Sequence, residues 1–371
     1  MSGNRKLNVW VLSNEYQPKI VGGLGIVATR LTRALSMTGT RVTVLCANNA
    51  KRLTATNFNN SLRILRFPRN SQYFNHAKKS FKGASVMRVA SRMAYAKPNI
   101  IHVHSTDFGD TAIKARNAYR VPVVYTCHSL ASQGLSSPIG KNQTKLIRIA
   151  RRIVVPSKWQ AAAIKRIYPN LVNRQISVIP HGVTTASKKS IGSPTRLLYA
   201  GRLIPSKGIA SLLTAISILS RDRHRVHLTI VGSGLKSYQR KLRTLAKKLG
   251  IADRIRWINH KPHHAMQKMY SSYGAVIVPS RKESFCLVAL EAMANGVPLI
   301  STLSGGLKEF VNSSNAHIIP SVNGPSIAGA IRRFRQNPSL SRKRVSAARA
   351  TAAKYKWPAI ARRYRSLFTS L

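Results

Sequence analysis

The chain has 371 residues, with 62 lysines and arginines against 8 acids and a formal net charge of +54. That length exceeds what one hydrophobic core usually fills, so two domains are expected. An apolar content of 44% excludes a disordered polyelectrolyte, and no apolar run approaches the ~20 residues of a membrane span.

The polar stretch from Met1 to Asn8 leads into a strand and does not read as a signal peptide. Cys46, Cys127 and Cys286 are odd in number and far apart, the pattern of free thiols in a reducing cytosol. The basic residues are spread along the whole chain, without zinc-finger spacing or an RNP-like motif. A dedicated nucleic-acid reader is therefore not indicated. Charge of this size favours an anionic membrane surface or a polyanionic polymer, and by itself names neither.

In chain order, Leu7 to Ser13 is an apolar strand. Gly22-Gly23-Leu24-Gly25 opens an amphipathic helix running to about Thr38, with Gly39 as its stop. Arg41 to Cys46 is the next strand and completes a βαβ unit. Buried strands follow at Ile100 to His104, Val121 to Thr126, Ile153 to Val155 and Ile176 to Ile179. Thr184 to Thr195 is polar and reads as a linker. A second series has strands at Arg196 to Gly201, Val226 to Val231, Arg254 to Trp257, Ala275 to Val278 and Val297 to Ile300. Short apolar strands alternating with helices imply parallel sheets covered on both faces. The expected fold is α/β: two Rossmann-like doubly wound domains, residues 1–183 and 196–355, facing a central cleft where a ligand would sit.

Four groups of residues carry candidate chemistry. Glycines at 22 and 23 let the backbone approach an anion at a helix start, though a tight turn explains them as well. His128 ends a strand, and His102 and His104 share a face of its neighbour; satisfied core histidines are the alternative for all three. Arg202 and Lys207 lie in the loop after the first strand of the second domain, placed to clamp a diphosphate. Glu283 and Glu291 stand eight residues apart, about 12 Å if both were on one helix, a separation suited to two parts of one long ligand.

Glu283 is expected in the loop before a helix and Glu291 on that helix, with amides around Phe285, Cys286 and Leu287 at its start. A carboxylate accepts from both hydroxyls of a diol, so sugar or ribose is a natural partner. The alternative makes Glu283 an acid favoured by the helix dipole and Glu291 a solvated helix residue. No Asp-x-Asp pair occurs, so a carboxylate-bound hard cation is not expected. Asp107 reads as an N-cap with Asp110 three residues on, and Asp222 and Asp253 as turn or cap residues.

Together these motifs resemble the family 4 retaining glycosyltransferases of the GT-B superfamily. The resemblance runs from Glu15-Tyr16-Gln17-Pro18 to the last helix, and its most specific part is the Glu-x7-Glu spacing of Glu283 and Glu291. Val155-Pro156-Ser157-Lys158, Ile179-Pro180-His181-Gly182-Val183 and Ser304-Gly305-Gly306-Leu307-Lys308-Glu309 also look like family sequence.

The resemblance implies that Glu283 contacts a donor sugar and Glu291 the ribose of its nucleotide. Arg202 and Lys207 would hold the diphosphate, Gly22 and Gly23 would make room for it, and His128 would touch the sugar near the reacting centre. It implies no metal and no cofactor, the nucleotide sugar being a substrate, and a terminal helix, residues 356–371, that crosses back to the first domain. Two positions depart from the family pattern: Cys286 stands where Gly is usual, and Ser105 where an acid is usual.

The expected function is sugar transfer with retention from a nucleotide-diphosphate sugar to an acceptor hydroxyl. The alternative is a cationic binding or coat protein that keeps the fold with little turnover. The basic surface suggests a lipid-linked or anionic-glycan acceptor, and a cytoplasmic protein peripheral on an anionic membrane.

Overall fold

The structure is a computed structural model that describes residues 7–131, 134–171, 175–185, 192–222 and 225–371. Part of the expected linker, residues 186–191, lies outside the described residues. The chain divides into two compact units, Met1–Gly182 with Trp357–Leu371, and Val183–Lys356.

The first unit contains β1 (Asn8–Ser13), α1 (Gly23–Ser36), β2 (Arg41–Asn48), β3 (Thr54–Asn59), β4 (Leu62–Pro68), β5 (Phe74–Asn75), β6 (Ser80–Phe81) and α2 (Gly83–Met93). It continues through β7 (Ile100–Val103), α3 (Gly109–Tyr119), β8 (Val123–Thr126), α4 (Pro138–Ile149), β9 (Arg152–Val155), α5 (Lys158–Ile167) and β10 (Ile176–Val178). Its main sheet has the order β10-β9-β8-β7-β1-β2-β4-β3, parallel except for the β3–β4 pair. The order reverses between β1 and β7, so the loops leaving those strands flank a crevice at their carboxyl ends.

Strand β3 escapes the sequence reading because it is a polar edge strand, Thr-Ala-Thr-Asn-Phe-Asn, with five of its six residues exposed. Strand β4 was also passed over. Arg63 and Arg66 interrupt its apolar run and hydrogen-bond out to Asn57 and Thr56 on β3. Helix α1 ends at Ser36, two residues before the expected Thr38, and Gly39 follows in the left-handed region at φ +78°.

The second unit contains β11 (Arg196–Ala200), α6 (Ile209–Arg221), β12 (His227–Val231), α7 (Lys236–Lys248), β13 (Ile255–Ile258), α8 (His263–Tyr270), β14 (Ala275–Val278) and α9 (Leu287–Asn295). β15 (Leu299–Ser301), β16 (His317–Ile318), α10 (Gly324–Gln336) and α11 (Pro338–Ala353) follow. Its sheet is parallel throughout, in the order β13-β12-β11-β14-β15-β16, with the reversal between β11 and β14. Leu197, Leu228 and Ile277 pack on one face with α6 and α10, and Leu198, Val276 and Leu299 on the other with α9. Both faces are apolar because helices cover both.

The last helix, α12 (Trp357–Thr369), belongs to the first unit and buries Trp357, Ile360, Ala361, Tyr364 and Phe368. Gly182 is required there, since a Cβ would stand 2.5 Å from the Trp357 indole. Among the described residues no helix is long and apolar enough to cross a membrane.

Three of the aspartates have structural work, and for two of them it differs from expectation. Ser105, not Asp107, caps the short helix after β7, and Asp107 instead pairs with Arg69 at 2.6 Å. Asp110 accepts from the Gly83 amide at the start of α2, 2.6 Å away, so it serves a neighbouring helix rather than a capping box. Asp222 ends α6, as expected of a cap, and in addition pairs with Arg332 on α10.

Candidate active site

The loops leaving β11 and β14 stand side by side because those strands are parallel neighbours. Arg202 lies two residues beyond β11 and is exposed, and its carbonyl accepts from the buried Tyr199 hydroxyl at 3.0 Å. Lys207 ends a single 3-10 turn, Pro205–Lys207. Gly208 follows at φ +70°, and a Cβ there would stand 2.0 Å from the Pro279 carbonyl oxygen. Only glycine permits that approach, which brings the lysine loop onto the loop after β14. The Arg281 amide donates to the Ser206 carbonyl at 2.8 Å and joins the loops a second time.

Glu283 sits in the β14–α9 loop, 8% exposed. Its Oε1 receives the Lys207 ammonium at 2.6 Å and the Ser280 hydroxyl at 2.8 Å. Gly305, at φ +58°, lies against its backbone, and the Gly306 amide donates to its carbonyl at 2.9 Å. The carboxylate is thus fixed from three sides. It is not a dipole-favoured first-turn acid, because the first turn of α9 carries none.

Cys286 caps α9 at φ +83°, a region that L side chains avoid. This explains the preference for glycine at that position in the family pattern. Burial, then the nearby Glu283 charge, pushes the Cys286 thiol well above its ordinary range. Phe285 is buried against Phe310, with ring centroids 5.0 Å apart, and Leu287 begins the helix.

Glu291 is not a solvated helix residue: it is 5% exposed, one turn into α9. His263 Nε2 lies 2.8 Å from its Oε1, and the Tyr270 hydroxyl donates to its Oε2 at 2.8 Å. Asn295 donates to the Glu291 carbonyl and to Gln267, closing α8 onto α9. Burial, then the Glu291 charge, raises the Tyr270 phenol well above its ordinary value, so it stays a donor. Two of the carboxylate's roughly four lone-pair directions are used, leaving room for a diol. Sequence does not reveal Tyr270 and His263, since no local motif marks side chains 21 and 28 residues away as partners of Glu291, and Ser280 is one more serine in a loop until its hydroxyl is seen on Glu283.

In the first unit, Gly22 is the N-cap of α1 and Gly23 its first residue. A Cβ on Gly22 would meet nothing within 4 Å, so open space adjoins it. The tight position is Gly25, where a Cβ would stand 2.9 Å from Glu15. Glu15 Oε2 accepts from the Val21 and Gly22 amides at 3.0 and 2.9 Å and holds the loop in place.

His128 lies two residues beyond β8, half-buried, with Nε2 2.9 Å from His104 Nδ1. Its ring centroid is 5.2 Å from that of His104 and 5.1 Å from that of His181. His102 bonds Thr126 at 2.8 Å, and Thr126 in turn bonds Tyr364 of α12 at 3.1 Å. Burial pushes His102 and His128 down to about 3, and lowers His104 and His181 well below their ordinary value. The four rings are therefore neutral at pH 7, fit for hydrogen bonding to hydroxyls rather than for holding charge. The core pair is not fully satisfied: His102 Nδ1 and His104 Nε2 are buried without a partner. No group of three or more metal-type ligands occurs among the described residues.

Comparison with known proteins agrees with the two-domain α/β fold. The profile of "Glycosyl transferases group 1" matches residues 184–351, and that of "Glycosyltransferase Family 4" matches residues 21–187. A glycogen synthase of Mycobacterium tuberculosis is 26% identical over 92% of this chain and 89% of its own length. A D-inositol 3-phosphate glycosyltransferase of Acidothermus cellulolyticus is 30% identical over 74% of this chain and 67% of its own. Among solved structures, a sucrose-phosphate synthase from Thermosynechococcus elongatus aligns with a TM-score of 0.79 at 21% identity, covering 98% of this chain and 100% of that one. Anabaena Alr3699/HepE in complex with UDP and glucose aligns with a TM-score of 0.76 at 19% identity, covering 98% and 99%. These structural likenesses bear on the fold.

Proposed function

The chain belongs to the group 1 glycosyltransferases of the GT-B fold, and from that premise we propose that it moves a hexose from a nucleoside-diphosphate sugar to an acceptor hydroxyl, with retention and without metal. The observation that carries this is the pairing of two buried carboxylates at one strand-order reversal, Glu283 beside Lys207 and Glu291 beside Tyr270. Glu283 would accept from sugar hydroxyls and Glu291 from the ribose diol. Arg202 and Lys207 supply the positive charge that belongs between them, on the diphosphate. The Anabaena protein was solved with UDP-glucose and a starch synthase IV from Arabidopsis thaliana with ADP, which supports a donor of this class.

In the step, the bond from the sugar's anomeric carbon to the phosphate oxygen breaks, and the nucleoside diphosphate leaves with the electron pair. The acceptor oxygen bonds the anomeric carbon on the same face, and its proton passes to the leaving phosphate oxygen. Arg202 and Lys207 stabilise the charge developing on that phosphate. Neutral His128 would hydrogen-bond the sugar near the reacting carbon. The same positive charge stands in for a divalent ion, in keeping with the missing Asp-x-Asp pair.

The net charge of +54 supports an acceptor on an anionic lipid surface or an acidic glycan. NMR of the product's anomeric proton, with and without EDTA, tests the chemistry. The α-configured donor should give α-linked product at an unchanged rate in EDTA, and a β-linked product or loss of activity in chelator overturns the corresponding claim.

A further inference from the structure

A groove of about 1110 Å³ opens in the first unit at the amino ends of β8 and β9, the opposite end of the sheet from His128. Its walls carry Arg116, Arg120, Arg148, Arg151 and Arg152 and no acidic side chain, and Leu371 with its terminal carboxylate also lines it. Arg116 and Arg120 come from the end of α3, Arg148 and Arg151 from the end of α4, and Arg152 begins β9. Among the described residues no ion pair involves any of the five.

Five arginines along one concavity give it a positive potential that favours an entering anion. Arg120 is held at φ +53°, the left-handed end of α3 where glycine or asparagine is the usual choice. A cationic side chain stands there against backbone preference.

We propose that this groove is a second binding site, distinct from the donor site, for a flexible polymer of phosphate groups. Guanidinium forks match phosphate oxygens two at a time. The concavity suits a threadlike chain better than a flat bilayer. Dense charge on the ligand adds counterion release, which favours a phosphate polymer over a sparsely charged acidic glycan. No aromatic side chain lines the groove, so bases would find no stacking platform. On an enzyme that elongates or decorates an anionic acceptor, such a site anchors the polymer away from the reacting end. This last role rests on the glycosyltransferase function, whereas the binding site itself does not.

The test is binding of short-chain inorganic polyphosphate to the full chain, by fluorescence anisotropy across a salt series. One variant changes the five groove arginines to Gln. A control changes five exposed cations elsewhere on the same unit, Lys51, Arg52, Lys78, Lys97 and Lys141, and so removes equal charge. The groove variant should bind at least tenfold more weakly than the control. Its slope of log K against log salt should fall in magnitude by about 3.5, at roughly 0.7 for each of five phosphate contacts. Replacing the five by Lys keeps the charge and the fold, and should recover part of the loss.

Equal losses in the groove and control variants overturn the site, because affinity then follows net charge alone. Tighter binding of single-stranded DNA than of polyphosphate at equal phosphate concentration, lost in the groove variant, overturns the ligand assignment in favour of nucleic acid. Donor turnover on a neutral test acceptor is read separately. Its absence would remove the glycosyltransferase function while leaving the binding result intact.

Discussion

Lys207 and Glu283, 76 residues apart in sequence, meet at 2.6 Å where the loops after β11 and β14 run side by side. The pair is mostly withdrawn from water, with side-chain exposures of 16% and 9%. The lysine and the carboxylate, proposed above to meet a diphosphate and a sugar, thus hold each other in place, which would preorganise both.

Separating the two roles gives the first prediction. Glu283→Gln keeps the shape and the Ser280 contact, so stability should change by no more than about 1 kcal/mol, while kcat falls about 100-fold or more. Lys207→Met strips the partner from a nearly buried carboxylate, and should cost about 3–5 kcal/mol in urea unfolding as well as turnover. Equal stability losses in both variants would contradict these separate roles.

Tyr270 donates to Glu291 at 2.8 Å and so orients that carboxylate. Tyr270→Phe should raise the donor KM about fivefold to tenfold with little change in kcat, and lower stability by about 1–2 kcal/mol. A fall in kcat at unchanged KM would place the phenol in the chemical step instead.

Cys286 tests the backbone at the start of α9. Cys286→Gly relieves the positive φ but adds freedom to the unfolded chain, two effects of about 1 kcal/mol that nearly cancel. Cys286→Val keeps the strain and adds a branch, and should destabilise by more than about 1 kcal/mol. Comparing the two melting temperatures decides it: valine tolerated as well as glycine is the contrary result.

Acid should destabilise the first unit through its buried histidines. His102 falls to about 3 in the folded protein, from an ordinary value near 6.5, and His104 is lowered too. Between these values the unfolded chain binds more protons, so stability is greatest above about pH 6.5 and is lost as pH falls toward 3. Each fully buried ring contributes up to about 1.4 kcal/mol per pH unit. Denaturant midpoints at pH 7.5 and 5.5 should therefore differ clearly, and by less in His102→Asn. An identical midpoint at both values would mean the rings are protonated in place.

The sequence made the strand-helix alternation legible because buried parallel strands are short, apolar and punctuated, as in Val123–Thr126 and Ala275–Val278. It hid β3, whose polar edge carries no such signal. The candidate site was half legible. Glu283, Glu291, Arg202 and Lys207 stood out by spacing and by position after strands. Tyr270 and His263 did not, because their link to Glu291 is made by packing of α8 on α9, and Ser280 did not, because its hydroxyl reaches Glu283 only through the turn of the β14–α9 loop. Glu15 is the same kind of case: a carboxylate that lies beside Gly25 only once the loop has turned back on itself.

The most direct measurement is a panel of UDP-, GDP- and ADP-sugars, scored by transfer or hydrolysis with the native chain and with Glu283→Gln. At least one donor should be turned over by the native chain, with Glu283→Gln reducing that rate about 100-fold or more. No turnover of any donor, or an unchanged rate in the variant, would contradict a glycosyltransferase working through Glu283.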